Sequence, residues 1–251
     1  MTRRLRWARA AAAALLALAA AAAWLDWRYP LVLPNAAGGM VVTDSLGAPL
    51  RTWPHVDGVW RYPITPDQVS PRYLQALLGY EDRWFHWHPG VNPWSLARAA
   101  VQWLAHGRIV SGGSTLTMQV ARLVDPAARG HTRTLATKLR QILRALQLEL
   151  HLSKNEILAL YLNHAPMGGI VQGVEMASRM WLGKPAARLT HAEAALLAAL
   201  PQAPSRLRPD RHPQAARRAR DKVLDRMAEL GVWPQPISAD ARLENIIVPP
   251  L

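Results

Sequence analysis

The chain contains no cysteine, which excludes disulfides, thiolate nucleophiles and thiolate metal ligands. Acidic residues are scarce: 17 Asp and Glu stand against 30 Lys and Arg, a formal net charge of +13. A protein this basic seeks polyanions, whether nucleic acid, anionic lipid headgroups or phosphate-bearing substrates, and composition does not choose among them. Phenylalanine is almost missing, with 1 residue against 11 Trp, so aromatic rings serve wet interfaces as well as the core. No internal repeat is visible. Half of the 251 residues are hydrophobic, enough for one good-sized core or one domain plus an anchor.

The N-terminus sets the compartment. Arg3, Arg4, Arg6 and Arg9 precede an uninterrupted apolar run from Ala10 to Leu25, with Trp7 before it and Trp24 and Trp27 closing it. The run is slightly short of the roughly 17–25 residues that span a bilayer, but tryptophans at both ends suit the headgroup layers. The arginines place residues 1–9 in the cytoplasm and everything after Trp27 outside it. A cleaved signal peptide and an Ala-rich soluble helix are the competing readings. Export, in either of the first two readings, excludes a nucleic-acid binder.

Residues 28–39 read as a linker, broken by Pro30, Pro34, Asn35, Gly38 and Gly39. The β-like runs Met40–Thr43 and Val59–Tyr62 predict a small hairpin. Beyond Pro66 the periodicity is helical. Tyr73, Ala76, Leu77 and Tyr80 share a face, Trp94–Ala105 and Thr115–Leu123 read as further helices, and Leu135, Leu139, Ile142, Leu143, Leu146 and Leu150 form one stripe. Ser153 with Glu156, and Thr190 with Glu193, are capping boxes. A basic helix over Pro213–Leu230 stops at Gly231, and residues 231–251 read as an irregular tail. The class is mainly α.

Four segments carry chemistry or shape. In Glu81–Gly90, adjacent carboxylates beside aromatics give one of them the raised pKa that a general base needs; the plainer alternative is a helix end with solvated acids. His86 and His88 lack the further spacing of a metal site. In Ser111–Gln119, a Gly-rich turn opens a helix, a cradle suited to phosphate or simply a capped loop. The basic stretch Arg129, His131, Arg133, Lys138, Arg140 and Arg144 is either a solvated face or a diphosphate clamp. The glycines of Asn163–Gly173 mark a bend where backbones approach closely, a structural role.

Together these segments resemble glycosyltransferase family 51, the glycan-polymerising domain of class A penicillin-binding proteins and of monofunctional peptidoglycan glycosyltransferases. The E-D-x-x-F-x-x-H-x-G motif is complete as Glu81, Asp82, Phe85, His88 and Gly90, and G-G-S-T-[IL]-T-x-Q is complete as Gly112 to Gln119. E-I-L-x-x-Y-L-N stands at Glu156–Asn163, and E-A-A-x-L-A-A-L-P-Q-A-P-S at Glu193–Ser205. Details around Met118, Arg140 and Pro204–Arg211 are similar to the penicillin-binding protein 1C branch. One motif departs: R-K-x-x-E reads Thr137, Lys138, Leu139, Arg140, Gln141, so the family's second carboxylate is an amide here. No S-x-x-K or K-T-G of a penicillin-binding domain follows, which fits a monofunctional form or part of a bifunctional protein.

The resemblance implies a lysozyme-like multi-helix transferase domain over residues 40–230, with a small hairpin near its start and one transmembrane signal-anchor at 10–27 before it. Lipid II is then the acceptor, a growing lipid-diphosphoryl glycan the donor, and the outer face of the bacterial cytoplasmic membrane the workplace, beside transpeptidases and other wall-synthesis proteins. Glu81 is the expected general base, with Asp82, Lys138 and Gln141 around the chemistry. Phe85, His88, Gly90, Gly113, Ser114, Thr115, Gln119 and Arg122 are expected to bind substrate and diphosphate. A divalent cation, Mg²⁺ or Mn²⁺, is expected without a dedicated site. Trp103 and Met167–Val171 are candidates for dipping into the bilayer surface. The rival functions are a lysozyme-like lytic hydrolase, which has no phosphate to hold, and a non-catalytic lipid II or glycan binder.

Overall fold

The computed structural model describes residues 2–34, 41–45, 49–94, 97–98, 113–125, 134–246 and 248–249. The chain forms two compact units, Met1–Leu33 and Pro34–Leu251. The first is a single helix, α1 (Thr2–Arg28). Its stretch Arg6–Arg28 is 23 residues long and apolar enough to cross a membrane. At about 1.5 Å per residue this matches a hydrocarbon core of about 30 Å. The helix outruns the apolar run because nothing between Arg3 and Arg28 breaks it, and Pro30 follows its end.

In the second unit, β1 (Val41–Thr43) and β2 (Pro49–Thr52) form an antiparallel hairpin. The expected partner run, Val59–Tyr62, goes elsewhere. β3 (Trp60–Arg61) lies parallel to β5 (Val171–Gln172), and β4 (Pro166–Gly168) pairs antiparallel on the other side of β5. Arg61 fixes this long-range pairing by donating from Nε and Nη2 to Gln172 Oε1 at 3.2 and 2.7 Å. Period-2 alternation identifies a strand but not its partner.

The helices are α2 (Pro71–Glu81), α3 (Leu116–Val124), α4 (Leu135–His151), α5 (Lys154–His164), α6 (Val174–Leu182), α7 (His191–Ala199), α8 (Pro213–Glu229) and α9 (Gln235–Leu243). Their starts follow the capping signals. Pro71 opens α2, and Thr115, Thr134, Ser153 and Thr190 each accept an N–H of the first turn. Both expected capping boxes close. α7 is apolar on all sides and correspondingly buried from Ala192 to Ala199 save Glu193, packed against α2, α8 and α9. Tyr73, Ala76 and Leu77 of α2 face this core, as expected.

Two expectations need correction. The segment 231–251 is not simply irregular, since it contains α9. Its prolines read as breakers, yet Pro234 is the N-cap and Pro236 lies in the first turn, where a missing N–H costs nothing. Trp233 is buried and donates to Gln75 Oε1 at 2.9 Å. The buried Arg220 donates to the carbonyls of Arg242 and Glu244 at 2.8 Å, which satisfies the C-terminal end of α9.

The leucine stripe of α4 also faces the other way. Leu139, Leu143, Leu146 and Leu150 are exposed, while Ala145 and Leu148 are buried. Small Ala145 lets α4 approach the turn at Gly90, where any Cβ would sit 2.8 Å from Ala145 O. Steric fit, more than apolar area, chose the face. The expected helix Trp94–Ala105 lies largely outside the described residues, as do Trp103, Gly112, Arg129, His131 and Arg133.

Candidate active site

α2 ends at Glu81, and the chain turns sharply through Asp82 to Gly90. The two adjacent carboxylates point to different places. Asp82 is buried: His88 Nε2 lies 2.9 and 3.0 Å from its two oxygens, and Oδ2 accepts the Leu116 N–H at 2.8 Å. One carboxylate thus folds the turn onto itself and caps the N-terminus of α3, where an anion is favoured. Glu81 lies at the cleft. Its Oε2 accepts Gln119 Nε2 at 2.7 Å and its Oε1 accepts Gln202 Nε2 at 3.0 Å. The charge of Glu81 reaches the phenols behind it. Burial first, then this charge, push the hydroxyls of Tyr73, Tyr80 and Tyr161 up from their ordinary values, so all three stay protonated.

The aromatics that follow Glu81 do not close a dry pocket around it. Trp84 is half exposed beneath the Arg83 guanidinium, and Phe85 is buried under Lys154 Nζ, 4.7 Å from its ring centre. Lys154 also donates to His88 O and Glu149 Oε1, each at 2.7 Å. Glu149 further accepts the Thr117 hydroxyl at 2.7 Å. Phe85, His88 and Gly90 therefore build the wall behind the site. Gly90 has φ +82°, and a side chain there would meet Ala145 O and Glu149 Cγ, both at 2.8 Å.

The Gly-rich turn also differs from an open phosphate cradle. Asp82 takes the Leu116 N–H, and the buried Thr115 hydroxyl donates to Gly90 O at 2.5 Å and accepts the Met118 N–H at 3.1 Å. Gly113 is buried behind it. What remains toward substrate is Ser114, whose Oγ accepts Lys138 Nζ at 3.2 Å. Arg140 clasps Asp125 with two hydrogen bonds of 2.6 and 3.1 Å, and Arg144 lies 3.6 Å away. That part of the basic stretch joins α3 to α4. Arg122 is exposed on the last turn of α3, outside the cleft lining, and Gln141 is half-buried one turn beyond Lys138.

A cleft of about 940 Å³ runs along Glu81, lined by Tyr80, Trp84, Trp87, Trp94, Ser114 and Thr115 together with Arg83, Arg98 and Arg226. These arginines and Gln202 escaped the motif reading. Gln202 stood inside the Glu193–Ser205 run, and Arg226 among the cations of α8, where nothing local separates a cleft residue from a solvated one. Among the described residues no three His, Asp or Glu side chains converge on a metal position. The acids nearest the cleft are engaged: Glu81 by two amides, Asp82 by His88 and Leu116, Glu149 by Thr117 and Lys154. These side chains do not form a cage that fits the expected divalent cation.

A family model described as Transglycosylase matches residues 47–228. Penicillin-binding protein 1C of Escherichia coli K12 is 57% identical over 230 residues, which make up 91% of this chain and 29% of that protein. Penicillin-binding protein 1A of Pseudomonas aeruginosa is 42% identical over 171 residues, 68% of this chain and 20% of that protein. A putative transglycosylase of Cupriavidus necator is 36% identical over 213 residues, 83% of this chain and 90% of that protein. The chain thus spans less than a third of the two penicillin-binding proteins and most of the third relative. With the match covering most of the chain, and with Glu81, Asp82 and Ser114 of the shared motifs lining one cleft, the chain belongs to the transglycosylase family.

Proposed function

We propose that the chain is a peptidoglycan glycosyltransferase that polymerises lipid II into glycan strands and releases undecaprenyl pyrophosphate. The observation that carries this reading is a single cleft-facing carboxylate, Glu81, set in a groove whose other charged lining is cationic except for the buried Asp82. A sugar hydroxyl of the acceptor attacks the anomeric carbon of the donor strand. Glu81 takes the hydroxyl proton as the new C–O bond forms. The bond to the diphosphate breaks, and its electron pair leaves with the lipid diphosphate, inverting the anomeric carbon. The leaving group needs cations more than a proton donor. Lys138 beside Ser114 is placed to supply one, and Arg83, Arg98 and Arg226 line the approach. This chemistry needs one base, so Gln141 in place of a second carboxylate does not forbid it.

α1 serves as the anchor in the bacterial cytoplasmic membrane, with Arg3, Arg4, Arg6 and Arg9 on the cytoplasmic side and the catalytic unit outside. Anionic lipid favours so basic a protein by about 1 kcal/mol per cation near its surface. Within Met167–Val171 only Ile170 offers an exposed apolar side chain, since Met167 and Val171 are buried in the small sheet. The exposed row Leu139, Leu143, Leu146 and Leu150 suits the substrate's lipid and the bilayer surface better. Transpeptidases are the natural partners for the product strand.

The test is incubation of the full chain with labelled lipid II, beside Glu81→Gln, with products resolved on a gel. Long glycan from the native chain and none from the variant supports the reading. Bound but unpolymerised lipid II would move the chain to the binding-protein reading, which Gln141 favours. Shorter fragments from finished strands would make it a hydrolase.

A further inference from the structure

Gln202 is remote from Glu81 in sequence and adjacent to it in space. α7 ends in a short 3-10 turn, Leu200–Gln202, anchored by the fully buried Leu200 and stiffened by Pro201. This turn carries the Gln202 amide to the last turn of α2. There Nε2 donates to Glu81 Oε1 at 3.0 Å, and Oε1 accepts the Tyr80 hydroxyl at 3.4 Å. The second contact matters for the first. A neutral phenol is the donor, so the amide oxygen must face Tyr80 and the NH₂ group must face Glu81. Tyr80 is held neutral, by burial first and then by the charge of Glu81. Gln119 meets the other oxygen, Oε2, at 2.7 Å. Each carboxylate oxygen therefore has one amide donor from a different helix end.

We propose that Gln202 is a positioning residue for the Glu81 base: with Gln119 it fixes the plane of the carboxylate, so that its remaining lone pairs point into the cleft at the acceptor hydroxyl. This rests on the reading of Glu81 as the base. Two donors on two oxygens stop rotation about the terminal bond of the side chain, which is otherwise broad and nearly free. Gln202 is exposed, so it contributes little to the core and its replacement leaves the fold alone.

The experiment measures lipid II polymerisation by the full chain, its Gln202→Leu, Gln202→Glu and Tyr80→Phe variants, and Glu81→Gln, from about pH 5 to 9, with thermal midpoints alongside. Polymer from the native chain and none from Glu81→Gln establishes the base independently of Gln202; no polymer from the native chain sinks that reading first. Given the base, Gln202→Leu is expected to lower kcat about tenfold or more with KM within about twofold, because a displaced base costs rate and not binding. Its acid limb in kcat against pH moves upward, and Gln202→Glu moves it further by setting a like charge beside Glu81. Tyr80→Phe gives the same change, smaller. Native kcat and an unmoved acid limb in both Gln202 variants would overturn the proposal, as would a change confined to KM, which would make Gln202 a substrate contact.

Discussion

His88 Nε2 lies within 3.0 Å of both carboxylate oxygens of Asp82, and both residues are buried at the edge of the cleft. The motif thus divides its labour on the proposed reading: Glu81 is the base, and Asp82 builds the turn that presents it. Leaving a buried polar group without its hydrogen-bond partner costs about 1–3 kcal/mol. Asp82→Asn is expected to lower the denaturant midpoint by that order, because it also weakens the cap on the Leu116 N–H. Glu81→Gln is expected to leave the midpoint nearly unchanged while abolishing polymer. Equal stability of the two variants would refute the division.

Gly90 tests the same turn by shape. Its φ is +82°, and a methyl group would stand 2.8 Å from both the Ala145 carbonyl and Glu149 Cγ. The backbone at Ala145 cannot yield without moving α4. Gly90→Ala is expected to destabilise by about 1–3 kcal/mol, read as a fall in thermal midpoint, with lost activity following lost fold. A variant of native stability would show that α4 shifts freely.

Most helices were legible because their signals are local. Thr115, Ser153 and Thr190 cap where the sequence places caps, and Tyr73, Ala76 and Leu77 turn inward as their spacing asks. What stayed hidden is what depends on partners far along the chain. Val59–Tyr62 reads as half of a hairpin, but its partner lies past residue 170. Leu139, Leu143, Leu146 and Leu150 read as core, yet Ala145 won the inward face because Gly90 needs room. In the site, the motifs named Glu81, Lys138 and Ser114. They could not say that Thr115 bonds to Gly90, that Phe85 and His88 hold Lys154, nor that Gln202 closes on Glu81 from across the fold.

The Arg208–Asp210 pair makes stability depend on pH in one direction. Arg208 Nε donates to Asp210 Oδ1 at 3.0 Å, its Nη2 to Oδ2 at 2.5 Å, and its guanidinium stacks on Trp181 beside Gly168 and Gly169. The Arg208 hydrogen bonds, ahead of its charge, hold the Asp210 carboxyl below its ordinary value. Because the folded pKa is depressed, the pair's contribution is whole above about pH 4, the unfolded aspartate range, and fades as pH falls through the lower folded value. The gap in thermal midpoint between native chain and Asp210→Asn should be constant above about pH 5 and should narrow on acidification. A gap that widens in acid would refute the assignment.

Lys138 offers the cleanest test of the leaving-group side. Its Nζ donates to Ser114 Oγ at 3.2 Å, and Ser114 lines the cleft in which the proposed reaction takes place. A cation aimed at developing charge is worth about a hundredfold in rate. Lys138→Ala is therefore expected to lower kcat by about that factor with little change in thermal midpoint, and Lys138→Arg to retain more of it. Ser114→Ala should cost far less, since it removes a neutral hydroxyl and leaves the cation.

Gln141 decides how much the second family carboxylate matters. It is half-buried one helical turn after Lys138. A glutamate here would sit at i, i+3 from the Lys138 ammonium and compete with the diphosphate for it. On the proposed reading of Glu81 as the base, it adds none that the reaction needs. Gln141→Glu is accordingly expected to leave turnover within about threefold of native, while weakening the penalty of Lys138→Ala in the double variant, because the added carboxylate acts only through that lysine. A gain of about a hundredfold from Gln141→Glu alone would mean instead that the native amide has cost the site a catalytic group, and that this chain works chiefly as a binder of lipid-linked glycan.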